Sequence, residues 1–224
     1  MSYYAIAKGV NIGIFNTWEE CKANTNGYSG AIFKKFAIKK EAENFLLDFD
    51  IGNSVFDADY YVYTDGSCIN NGKENAIAGI GIYFGENDVR NVSQRVIGKQ
   101  SNNTGELGAI YHLYDIIESD ILSGKKIGIV SDSRYAIICA TTYGKKNDDK
   151  EWKKDIPNKE IVKNIFELYK DKSNIKFFHI MAHTGKMDIH SIGNDGADKL
   201  ANKAIGLDEC YEKLYKDKNE STFS

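Results

Sequence analysis

The order of the hydrophobic patterns downstream of Tyr60 constrains the fold more than any other feature of this chain. Three β-like runs, YYVYTDG, IAGIGIYF and VRNVSQRVI, precede helical spacing from about Asn103 to Glu118, and the apolar run KIGIV follows. Next come a helix from Ser133, a charged stretch from Gly144 to Asp155 and a helix near Lys159 to Lys170. The run IKFFHIM and a last helix from Asn194 to Ala204 complete the region. Strands in succession, then helix and strand in alternation, predict a mixed α/β sheet flanked by helices.

A separate pattern precedes it. YYAIAKG and IGIF read as two short strands around a turn at Gly9 to Gly13. Thr17 then stands where a helix cap belongs, AIFKKFAI alternates like a strand, and Lys39 to Asp48 has helical spacing. Between Asp48 and Asp59 the chain turns acidic and loses periodicity around Gly52, Asn53 and Ser54, as a short linker does. The expected division is a small α/β domain at 1–48 with a three-stranded sheet, a linker at 49–58, a main domain at 59–210 and a tail at 211–224.

Composition excludes several classes. With 42% hydrophobic and 27% charged residues and a single proline, the 224-residue chain is globular rather than disordered. No apolar run reaches the roughly 18 residues of a membrane span, and MSYYAIAKGV lacks the apolar core of a signal peptide. Cys21, Cys68, Cys139 and Cys210 are scattered, which fits reduced thiols; the expectation is a soluble intracellular monomer of cytoplasm or nucleus. A net charge of -3 means that any nucleic-acid binding must come from local basic patches or bound cations.

Four acids stand where an α/β sheet places chemistry. Asp65 lies at the end of an apolar strand and Asp132 directly after another, Glu106 opens a helix, and Asp198 sits near the start of the last helix with Asp195 at i-3. Singly, each can be a turn or cap residue. Together, clustered carboxylates repel unless cations neutralise them, and oxygen-only ligands suit Mg²⁺ or Mn²⁺. Two such ions serve a phosphodiester hydrolase.

TDGSC, NNTGEL, SDSRYA and HTG...GNDGADKLAN follow one another between Tyr60 and Ala204 in the order found in type 1 ribonuclease H, and the chain resembles that family. The resemblance implies an RNase H-like five-stranded sheet and an endonuclease that cuts the RNA strand of RNA–DNA hybrids. It makes Asp65, Glu106, Asp132 and Asp198 the acids holding two Mg²⁺ ions, or Mn²⁺, with Asp195 near the second metal in place of the family's usual Glu. His183 matches a mobile histidine that helps the leaving group or product depart. Asn102 and Asn103, with the backbone at Gly66 and Ser67, match positions that read RNA 2′-hydroxyls. Lys99, Ser101 and Asn158 match a DNA-phosphate site, where Asn158 is equally suited to capping the helix that follows.

Three departures stand out. Lys99 replaces the usual Arg and gives up bidentate phosphate geometry. The tail between Gly185 and Gly193 is long, carrying KMDIHS and a second histidine, His190. Lys145, Lys146, Lys150, Lys153 and Lys154 occupy the place of a basic substrate-binding protrusion but are offset by Asp148, Asp149, Glu151 and Asp155, so a solvated face is the alternative.

The first segment resembles the hybrid-binding domain of eukaryotic cellular ribonucleases H. Six lysines against four glutamates in residues 1–47 make it locally basic. The resemblance implies that Trp18 and Phe33 pack on DNA sugars while Lys34 and Lys35 approach phosphates; the alternative is that both rings are core. Against hydrolysis stand a non-catalytic hybrid-binding protein and a related α/β nuclease of other specificity. The four acids with His183 argue against the first, and TDGS with NN-x-x-E against the second.

Overall fold

In the computed structural model the described residues are 2–43, 45–46, 56–181 and 188–207. The chain divides into two compact units between 55 and 56. The linker segment 49–55, the tail 211–224, His183 and Cys210 lie outside the described residues.

In the first unit β1 (Tyr3–Lys8), β2 (Gly13–Phe15) and β3 (Ile32–Phe36) form an antiparallel sheet in the order β2-β1-β3. Helix α1 (Trp18–Thr25) starts at Thr17, whose hydroxyl accepts from the Glu20 amide at 3.2 Å while the Glu20 carboxylate accepts from the Thr17 amide at 3.1 Å. This reciprocal cap satisfies two otherwise unpaired helix donors, and the Thr17 hydrogen bonds hold the Glu20 carboxyl below its ordinary range. Ala5, Ile6, Ala7, Cys21 and Ala42 form a core of mostly small side chains. Such a core leaves little apolar area for stability.

The second unit carries a five-stranded mixed sheet, β6-β5-β4-β7-β8, of β4 (Tyr60–Ile69), β5 (Ile77–Tyr83), β6 (Val92–Arg95), β7 (Ile127–Ser131) and β8 (Ile175–His179). The first three strands pair antiparallel, and β7 pairs in parallel with both β4 and β8. β7 is buried along its whole length, as a central strand covered on both faces must be.

Among the described residues of this unit the helices are α2 (Asn102–Leu122), α3 (Arg134–Ala140), α4 (Thr142–Asp148), α5 (Lys159–Tyr169) and α6 (Ile189–Ala204). α2 buries Leu107, Ile110, Leu113, Ile117 and Ile121 at helical spacing, each contributing about 1.5–3 kcal/mol. α4 folds part of the charged stretch from Gly144 into a helix.

Two glycines set how closely the helices approach the sheet. A Cβ on Gly66 in β4 would overlap the α2 backbone at Gly105 and Glu106, and one on Gly81 in β5 would overlap the α6 backbone at Ala197 and Ala201. Bare backbone at these two positions lets α2 and α6 lie against the strands, which carries Glu106 and Asp198 toward Asp65. Cys21, Cys68 and Cys139 are free thiols. Among the described residues no helix is long and apolar enough to cross a membrane.

Candidate active site

Register brings the first two acids together. The parallel ladder between β4 and β7 ends at Thr64 opposite Ser131, so Asp65 and Asp132 are the next residues of neighbouring strands. The expectation that Asp65 ends its strand is corrected here, because β4 runs on to Ile69 paired with β5 alone. Asp132 leaves the sheet in a turn secured by the Ser133 amide on the Ser131 hydroxyl at 3.0 Å and by the Ser133 hydroxyl capping α3.

Glu106 arrives on the first turns of α2, which begins with a reciprocal Ser101–Thr104 cap. Asp65, Glu106 and Asp132 each offer a carboxylate oxygen within 4.8 Å of the other two. Asp65 and Glu106 are 6% and 7% exposed, and Glu106 Oε2 has no hydrogen-bond partner. Burial, then the charges of Asp132 and Asp198, raise the Asp65 carboxyl well above its ordinary range. Burial, then Asp65 and Asp132, do the same to Glu106, and the Gly66 amide opposes both shifts only in part.

α6 supplies the fourth acid. The helix begins at Ile189, capped by Asp188, rather than near Asn194, because Ile189, His190 and Ser191 are helical; Asp198 is therefore mid-helix. Asp198 is close enough to raise Asp65 through charge and a hydrogen bond, while Asp195, one turn earlier, is exposed and not in the tight group of three. His190 lies edge-on to Tyr61 at 4.7 Å with Nδ1 3.2 Å from the Tyr63 hydroxyl.

Sequence reasoning missed two buried asparagines. Asn194 Nδ2 donates to Asp132 Oδ2 at 2.9 Å, and Asn202 Nδ2 donates to Asp198 Oδ1 at 3.0 Å. Their spacing with Asp198, i, i+4 and i+8, puts all three on one helix face and was readable in GNDGADKLAN. His179, which approaches the Asp132 carbonyl with Nε2 at 3.1 Å, carries no comparable signal.

The residues matched to nucleic-acid contacts lie around the starts of α2 and α5. Asn102 and Asn103 are exposed on the first turn of α2, with the Asn102 amide held by Asn71 Oδ1 at 3.1 Å. Asn158 stands at the helix boundary in a left-handed conformation, φ 57°, with no side-chain cap. Its amide instead accepts from Lys99 Nζ at 3.2 Å and donates to the Tyr135 hydroxyl at 3.4 Å, so the helix-cap reading is set aside. Ser101 does serve as a cap, with its hydroxyl taking the Thr104 amide. In the charged segment Lys145 pairs with Asp149 and Lys153 with Glu151, and Trp152 is buried.

On the first unit Trp18 and Phe33 are 44% and 41% exposed, which overturns the alternative that they are core. Trp18 lies between Tyr4 and Phe33, 5.8 and 5.9 Å away, and Lys35 Nζ stands 5.7 Å over the Tyr4 ring. Strand alternation puts Lys34 on the opposite face, over Phe36.

The RNase H family profile matches residues 57–206, and the profile of the Ribonuclease H1 N-terminal domain matches residues 2–46. The chain belongs to the RNase H family. Ribonuclease H of Schizosaccharomyces pombe is 28% identical over 268 aligned positions, covering 90% of this chain and 96% of its own. Ribonuclease H1 of Mus musculus is 27% identical, covering 92% and 90%. Among solved structures, a prototype foamy virus protease-reverse transcriptase superposes with a TM-score of 0.54 at 23% identity, over 68% of this chain and 22% of that one, and shares the fold.

RNase H enzymes are metal-dependent, and the donor set fits a hard divalent cation. It is all oxygen, it converges from three elements, and Glu106 Oε2 is buried without a partner. Burial and mutual repulsion raise both the Asp65 and Glu106 carboxyls, a penalty that a bound divalent cation would offset.

Proposed function

We propose that the chain is a ribonuclease H that hydrolyses the RNA strand of RNA–DNA hybrids internally, leaving 5′-phosphate and 3′-hydroxyl ends. The observation that carries this is the convergence of Asp65, Glu106 and Asp132, with one orphaned carboxylate oxygen, in a chain of the RNase H family. Asp65, Glu106, Asp132 and Asp198 would hold two Mg²⁺ ions, with Asp195 beside the second. When bound, these ions supply the positive charge that offsets charge building on the scissile phosphate and makes water nucleophilic near neutral pH.

The remaining residues bind and orient. Asn102, Asn103 and the backbone at Gly66 and Ser67 read 2′-hydroxyls, the groups that mark the strand as RNA. Lys99, Ser101 and Asn158 take a phosphate of the DNA strand, and the Lys99–Asn158 contact supports that grouping. Trp18 and Phe33 pack on DNA sugars, Lys35 approaches phosphates from the same face of β3, and Lys34 approaches them from the other. His183 assists departure of the leaving group. In this reading residues 1–48 hold the hybrid, residues 59–210 cut it, and the protein works as an intracellular monomer.

An end-labelled RNA–DNA hybrid incubated with the protein, with Mg²⁺ or EDTA and beside duplex DNA and duplex RNA, tests the reading. Metal-dependent internal cuts confined to the RNA of the hybrid are expected. Tight binding without cutting would replace the enzyme with a hybrid-binding protein.

A further inference from the structure

Asn202 lies one turn beyond Asp198 on α6, is 5% exposed, and commits both ends of its side chain. Nδ2 donates to Asp198 Oδ1 at 3.0 Å, and Oδ1 accepts from the Ser67 hydroxyl at 2.5 Å. An ionised carboxylate only accepts, so the amide nitrogen must face Asp198, and the amide oxygen is left for Ser67. The Ser67 proton is thereby turned inward. Its oxygen lone pairs, on a part-exposed side chain next to Gly66, stay free to accept from outside.

Resting on the ribonuclease H reading, we propose that Asn202 is a positioning residue that couples two tasks. It orients Asp198 toward the metal, and through Ser67 it presents an acceptor to the RNA 2′-hydroxyl. A deoxynucleotide has no proton to give that acceptor, so the same amide that steadies the carboxylate sharpens the preference for RNA. The contact depends on the close approach of α6 to β5, because Ser67 pairs with Gly79, where a Cβ would overlap the Ala201 carbonyl. Asn202 touches no reacting atom, and a purely structural tether would leave both metal affinity and 2′-selectivity unchanged.

The test uses the full chain with Asn202→Leu, of similar volume, and Asn202→Ala, which suits a helix. Calorimetric titration with Mg²⁺ in the absence of substrate is expected to show about tenfold weaker binding in both variants, the usual scale for losing a partner of a metal ligand. The rate penalty for replacing the 2′-hydroxyl beside the cut with hydrogen should shrink by about fivefold, the worth of one hydrogen bond. Melting temperature identifies a variant that fails to fold, and the other then decides. Wild-type Mg²⁺ affinity with a wild-type 2′-deoxy penalty in a folded variant overturns the proposal. A wild-type protein that does not cut hybrid overturns the ribonuclease reading instead and leaves the Mg²⁺ titration to judge Asn202.

Discussion

In the proposed reading the two units meet nucleic acid in opposite ways. The first presents its chemistry outward: Trp18 and Phe33 are more than two-fifths exposed, and β3 is exposed along most of its length. The second hides its chemistry: Asp65 and Glu106 are more than nine-tenths buried among like charges. An exposed ring or lysine costs little to keep and gains energy only on contact, so it suits affinity without reaction. A buried carboxylate cluster is unfavourable until a cation arrives, and the rigidity that holds it there is what positioned charge in a phosphoryl transfer requires. The comparison predicts that lesions in one unit move binding and lesions in the other move turnover.

The largest expected effect is on chemistry. Asp132→Asn should lower cleavage on the order of 10³-fold, about 4 kcal/mol of barrier, while hybrid affinity in a gel-shift assay stays near wild type. Activity close to normal would break the assignment of the acids. The next is on binding: Trp18→Ala combined with Phe33→Ala should weaken hybrid binding by at least about tenfold, with kcat within about twofold. A fall in kcat equal to the fall in affinity would erase the division of labour.

Stability sharpens the contrast further. Asp65 and Glu106 have raised folded pKa values, so they keep protons that the unfolded chain has released above the ordinary carboxylate range. Their contribution is fully present below that range and is lost as pH rises through the raised folded values. Asp65→Asn should therefore raise the metal-free melting temperature at neutral pH by a few degrees, at about 2–4 °C per kcal/mol, and the gain should vanish in excess Mg²⁺. A lower melting temperature without metal would show that the cluster is not strained. Smallest is a salt effect: Lys35→Ala, on the face of Trp18, should reduce the salt slope of hybrid binding by about 1, and Lys34→Ala by less. Equal slopes would mean that β3 alternation does not govern the contact.

Much of this fold is legible in the amino-acid sequence. Alternation and apolar runs marked the eight strands of the described residues, though the last helix starts at Ile189 and α4 lay unrecognised in a charged stretch. Charge hides a helix because composition masks periodicity, and the KMDIHS insertion could be read as a loop because Asp188 is equally a turn and a cap residue.

Local pattern by itself determined the order of strands and helices, the capped start of α1, and which acids were available for chemistry. These follow from backbone sterics and side-chain spacing, which act over a few residues. Only the tertiary structure decided that the parallel ladder stops one residue before both Asp65 and Asp132. It alone placed the Glu106 oxygen in the cluster without a partner, turned the Asn158 amide to Lys99 and Tyr135 rather than its helix, and joined Ser67 to Asn202 across 135 residues. Those outcomes depend on strand register and on how closely bare glycine backbone lets helices approach the sheet, and both are set by packing the whole core at once.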